Sequence, residues 1–154
     1  MSGKTGSRRQ RGSPGSQSRP GEPAAGGRGN GSYCRLSNAT AKRSASVRLE
    51  VADNPIARMC GLMFRDRIAP MLFVFGREGR HPIHSHFVIA CFDAIYLSEK
   101  KIVVEIFRKI PPATTLVSPK RKARFLLELP PSLSGRLAIR VGDRLEWAAI
   151  RNDG

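Results

Sequence analysis

Across 154 residues the chain carries 27 Lys and Arg against 12 Asp and Glu, a formal charge of +15, with three cysteines and 40% apolar residues. No stretch approaches the ~20 apolar residues that span a bilayer, and no apolar run of ~7–15 follows the early arginines, so membrane insertion and ordinary secretion are disfavoured and cytoplasmic residence is expected. Cys34, Cys60 and Cys91 stand far apart with no C-x-x-C, which argues against a disulfide framework, a zinc knuckle or a thioredoxin-type pair and leaves them as reduced thiols.

Residues 1–32 hold nine Gly, three Pro and six Ser, with Met1, Ala24 and Ala25 as their only apolar members. Such a segment cannot bury enough surface to offset its ordering entropy. Residues 1–45 carry a net +8 and read as a disordered basic tail, while 46–154 carry +7 and are long enough for one core. In that second part the dominant period is two. Val47-Arg48-Leu49-Glu50-Val51 alternates as a half-buried strand does. Asp53 then offers an N-cap, Pro55 a first turn, and Ile56, Met59 and Leu62 one apolar face of a short helix that Gly61 would end. Met59, Met63, Phe64, Leu72 and Phe73 read as core. Strand-sized apolar runs follow at 71–75, 83–97 with a break inside, 102–107, 123–129 and 144–150, separated by turn-forming clusters such as Gly76-Arg77-Glu78-Gly79 and Val141-Gly142-Asp143. The spacing predicts an all-β, jelly-roll-like sandwich or barrel of about six to eight short strands, with one short helix after the first strand.

Five landmarks carry a family likeness: Gly61-Leu62-Met63-Phe64-Arg65, Met71-Leu72-Phe73-Val74-Phe75, Asp93 in an apolar run, Leu127-Glu128-Leu129-Pro130, and Val141-Gly142-Asp143 before Leu145. In order and spacing they resemble the microbial family known as domain of unknown function 192. The resemblance implies a compact β-rich domain and no established reaction. Where many bacterial relatives carry Phe-Trp-Met-Lys-Asn-Thr, this chain reads Ile83-His84-Ser85-His86-Phe87-Val88, which is similar to the archaeal form. Only Asn54 and Asn152, and no Gln, occur between 46 and 154, a depletion of heat-labile amides that fits a thermophilic source.

His84 and His86 stand at i and i+2, so on a strand both imidazoles would face one side and reach one transition metal, with a third ligand drawn from Asp93, Cys60, Cys91 or Glu128. The rest of a cupin-type signature is missing, since Ala90 stands where a Glu would follow and His81 is the sole other histidine. The alternative is that there is no cofactor, His84 closes a buried hydrogen bond, and His86 and His81 face solvent. Asp93 interrupts an apolar run and needs partners: either Arg65 meets it as a fork-shaped donor, or Asp93 caps a turn and Arg65 is solvated. Lys120, Arg121, Lys122 and Arg124 precede an apolar run, reading as a solvated loop blunting an edge strand or, with the tail, as a grip on phosphates.

Three functions follow. The first is a binding or accessory module taking a small ligand or partner at a mouth formed by the His84 segment and the loops after Arg65 and Arg108, with His84, Arg65 and Asp93 as candidate contacts. The second is non-specific binding of nucleic acid or another polyanion through the tail and the 120–124 cluster, with no stacking platform for sequence readout. The third is a metal-dependent enzyme using His84 and His86. The sequons at Asn30 and Asn38 are taken as fortuitous.

Overall fold

A computed structural model describes residues 32–150. The glycine- and serine-rich residues 1–31 of the expected tail lie outside them. Seven strands, within the six to eight expected, are β1 (Ser32–Asn38), β2 (Arg43–Ala52), β3 (Met71–Gly79), β4 (Phe92–Leu97), β5 (Val103–Ile110), β6 (Ala123–Leu129) and β7 (Leu145–Ala149); the helices are α1 (Pro55–Cys60) and α2 (Pro131–Arg136). They form one curled sheet in the order β5-β4-β6-β3-β2-β1-β7. Every pairing is antiparallel except β2 with β3, which run parallel because α1 and its flanking loops carry the chain back across. An isolated bridge from Ile102 to Arg144 joins the starts of the two outermost strands, curling the sheet most of the way into a barrel.

The sheet starts at Ser32, so the start expected at residue 46 falls inside β2 and the helix follows the second strand. β1 shows why it escaped notice. Only Cys34, Leu36 and Asn38 point inward, while Tyr33 and Arg35 lie outside, too short an apolar signal to stand out beside the glycine-rich stretch. Asn38 is fully buried; its amide donates to Leu137 O at 3.1 Å and Asp143 Oδ2 at 2.7 Å, and its carbonyl accepts from Ala41 N. That amide nitrogen is the atom a sequon would modify, so in the folded chain it is out of reach. The N-cap of α1 is Asn54, whose Oδ1 accepts from Ala57 N at 2.9 Å, in place of Asp53. Gly61 ends that helix at φ +45°, in the region that favours glycine, as expected. The run at 83–97 is strand only from Phe92 on; 84–91 is irregular.

Two apolar clusters cover the two faces. Leu36, Leu49, Leu72, Ile95, Leu97, Leu127 and Leu129 fill the inside of the curl under α2. Phe73, Phe92, Ala94, Tyr96 and Leu126 fill the other face, under Leu62 and the 81–91 and 111–117 loops. The central strand β6 is therefore buried on both sides, which is why Leu126, Leu127, Glu128 and Leu129 all lie under 5% exposed. The 120–124 cluster accordingly precedes a central strand rather than an edge.

Asp93 is buried, but its partner is Arg108 rather than Arg65. Its Oδ2 accepts from Arg108 Nη1 and its Oδ1 from Lys109 N, both at 2.8 Å. The pairing holds because β5 bulges opposite Asp93, with Lys109 at φ +49°, which turns Arg108 toward β4. Arg108 also reaches Ser134 Oγ and Ile139 O, clamping α2 to the sheet. Asp93→Ala should lower stability by roughly 2–4 kcal/mol in a denaturant melt. In double-mutant cycles it should couple with Arg108→Ala and add independently to Arg65→Ala; independence from Arg108 would discard the pairing.

Candidate ligand-binding site

A row of side chains crosses four strands on the outer face of the sheet. Ala94 on β4 pairs with Glu128 on β6, Glu128 with Met71 on β3, and Met71 with Glu50 on β2. Ala94 and Met71 are buried, so Glu128 has apolar neighbours on both sides. Glu50, nearer the rim, is neutralised by Arg65 Nη1 at 2.6 Å, and Arg65 Nε donates to Gly61 O at 3.0 Å. Arg65 is thereby spent on Glu50 and on the turn after α1. Glu128 is 4% exposed and has no side-chain hydrogen bond among the described residues; since no fully enclosed side-chain oxygen there lacks a partner, its carboxyl touches the open space in front of it. Burial, only partly countered by the positive charge of Arg65, pushes its carboxyl up to about 8. At neutral pH it is mostly the neutral acid, a hydrogen-bond donor.

The space in front of Glu128 is a cavity of about 240 Å³ lined by Arg58, Leu62, Phe73, His84, Val88 and Phe92, among others. Each wall has a local cause. Gly61 lets the chain turn tightly against the sheet, where a β-carbon would come within 3.3 Å of the Phe73 ring. Arg58 Nη1 donates to Asp53 O and Val74 O, so its cation is anchored on the wall. The His84 segment is stapled down by Ser85, which is fully buried; its hydroxyl donates to Pro111 O at 2.6 Å and accepts from Thr114 N at 2.8 Å, while Ile83 bridges Val117. Tyr96, in the same apolar layer, ties down the start of that segment, its hydroxyl donating to His81 O at 2.8 Å. Burial above all, then the carboxylates of Glu128 and Glu105, push that phenol up.

His84 therefore lines the cavity, in a loop and not on a strand. Its Nδ1 accepts the backbone N–H of His86 at 3.3 Å, and the two rings lie 5.1 Å apart at 47°. Among the described residues no group of three His, Cys, Asp or Glu is gathered as a metal site. Asp93 faces the inside of the curl and takes no part here. The loop after Arg108 supports the His84 segment from below without lining the cavity. Lys120, Arg121 and Lys122 are exposed and Arg124 half-buried, with Lys120 N and Arg121 N donating to Glu105. Glu128 had a place in the sequence only as a distant third ligand. What hid its role is that a carboxylate inside a buried strand looks the same in sequence whether it is paired or bare.

Phe64 departs from its expected core position. It is 75% exposed and stacks on Phe87, itself 63% exposed, at a centroid distance of 4.7 Å and 20° between planes. Both residues have positive φ, +57° and +59°, and Phe64 N donates to Phe87 O at 3.0 Å. Their chain neighbours Met63 and Val88 line the cavity, so the stack stands at its edge.

A curled, mostly antiparallel sheet with short helices and a small cavity on its outer face defines a class of compact β-rich proteins. Within it, the chain belongs to the domain-of-unknown-function 192 family, described as an uncharacterised ACR, whose profile matches residues 37–147. A UPF0127 protein of Pyrococcus furiosus is 36% identical over 112 residues, spanning 71% of this chain and 95% of that protein. Another from Pyrococcus abyssi is 33% identical over 102 residues, spanning 65% and 86%. Both agree with the archaeal likeness of the His84 segment. A crystal structure of a candidate transcription regulator from Sinorhizobium meliloti superposes with a TM-score of 0.67 at 26% identity, covering 77% of this chain and 95% of that one. A protein of unknown function from Novosphingobium aromaticivorans shares the fold with a TM-score of 0.64 at 22% identity, covering 75% and 84%. No described helix is long and apolar enough to cross a membrane.

The buried acid has a consequence for stability. The folded chain keeps the Glu128 proton up to about pH 8, whereas the unfolded chain releases it near the ordinary 4.5. Its contribution is therefore fully present below that lower value, falls as pH rises, and levels off above about 8, a change on the order of a few kcal/mol. Glu128→Gln keeps the shape without the ionisation. Its melting temperature should exceed that of the native chain by a margin that widens from about pH 5 to about pH 8; a constant margin across that range would show that Glu128 titrates normally.

Proposed function

We propose that this protein is a binding module for a small, largely apolar molecule carrying an acceptor oxygen, a carbonyl or a carboxylate. The observation that supports the reading is the Glu128 carboxyl, without a hydrogen-bonding partner among the described residues, on the wall of a cavity whose lining joins Arg58 and His84 to the apolar Leu62, Phe73, Val88 and Phe92. A neutral acid in such a place lacks only an acceptor, and satisfying it on binding adds the specificity that apolar contact cannot. Arg58 on the wall favours an electron-rich oxygen over a cation. The unpaired thiols of Cys34 and Cys91 fit a reducing, cytoplasmic setting.

Chemical-shift titration with propanoate, butanone and propylamine at about pH 6.5 provides the test. Propanoate and butanone should move cavity resonances of Leu62, Val88 and Phe92, and Glu128→Ala should weaken them roughly tenfold, as loss of a buried hydrogen bond would. Binding of propylamine alone would recast Glu128 as a cation site and overturn the proposal.

A second reading rests on the exposed run Lys120, Arg121 and Lys122 and on the likeness to a candidate transcription regulator. In it the 120–124 cluster, with Arg124 at its end and the +8 of residues 1–45, grips phosphates without base recognition. Filter binding to duplex DNA from roughly 50 to 500 mM salt should then show affinity falling steeply with salt, and less steeply in a chain with Lys120, Arg121 and Lys122 changed to Ser. Salt-independent or absent binding removes this reading.

A further inference from the structure

The cavity is smaller than the roughly 300–1,000 Å³ that hold a drug-sized ligand, yet two phenylalanines are held open to solvent at its edge. Nothing in folding favours that placement. Phe64 and Phe87 each occupy a left-handed backbone conformation that bulky residues avoid, and each leaves most of its ring in water. The strain is sustained by one bond, Phe64 N to Phe87 O, which ties the turn after α1 to the His84 loop. Beside that bond the two rings stack, with Phe87 also tilted against His86 at 6.5 Å, and both keep most of their surface in solvent, where a further ring can extend the stack. Met63 and Val88, one residue from each ring, line the cavity that includes Glu128, a side chain over nine-tenths buried and without a hydrogen-bonding partner among the described residues.

Resting on the proposed binding of an acceptor oxygen at Glu128, we infer that the ligand is an elongated aryl-bearing acid, its carboxyl seated at Glu128 and its ring laid against the Phe64–Phe87 stack. The cavity takes the head and the connecting carbons, and the stack takes the ring. A planar ring gains an aromatic face there, while a cation gains little beside Arg58.

The test is a length series on the full chain: propanoate, benzoate, phenylacetate, 3-phenylpropanoate and 5-phenylpentanoate, followed by chemical-shift titration. Phe64→Asn and Phe87→Asn are suited to it, because Asn tolerates the left-handed conformation and both side chains are exposed; neither should lower the melting temperature. In the native chain affinity should jump at the member long enough to reach the stack, and each Asn variant should lose about fivefold there while binding propanoate unchanged. Equal binding of the long members by native and variant chains would overturn the inference and leave the Glu128 reading intact. Failure of every member to bind the native chain, propanoate included, would overturn both. Co-sedimentation with phosphatidylcholine vesicles, abolished by the Asn variants and unaccompanied by any affinity for free aryl acids, would mark the stack as a bilayer contact and overturn the inference as well.

Discussion

A strand buried on both faces from Leu126 to Leu129 constrains the rest of this molecule. In β6, Leu127 and Leu129 face the interior of the curl while Leu126 and Glu128 face the layer formed by Leu62 and the loops. An inner strand of this kind admits a carboxylate only if it is paired, protonated or reserved for something that arrives. Glu50, on the same row, takes the first course with Arg65. Glu128 takes the second, and the space beside it leaves room for the third.

Asp93 shows how differently the same chemistry resolves on the opposite face. It lies as deep as Glu128, but a bulge in β5 delivers both Arg108 and a backbone N–H to its two oxygens. Its acceptors are filled by the fold, so it acts as a fastening between sheet and α2. The two carboxylates thus divide into one consumed by architecture and one left over, and that division locates the site more firmly than any histidine does.

Much of this was legible in the sequence. Alternation at Val47–Val51 and the turn clusters predicted the strands, and Gly61 announced the end of α1. The Arg65–Asp93 pairing failed because choosing among buried ion partners needs the register, and a one-residue bulge sent Arg108 where Arg65 was expected. Phe64 failed because composition cannot reveal a positive φ: an apolar residue next to Met63 reads as core until the backbone turns it outward. β1 was lost because its inward positions include Asn38, a polar side chain buried by its own hydrogen bonds.

The joint between the first residues of β5 and β7 bears on how the protein meets its own kind. A ribbon of seven strands has two ragged margins, each able to recruit a further strand from another chain. Here Val103 N donates to Asp143 O, Gly142 N to Val103 O and Leu145 N to Lys101 O, so along that stretch the margins are spent on each other. What a neighbouring molecule encounters there is a hoop, with its seam already stitched.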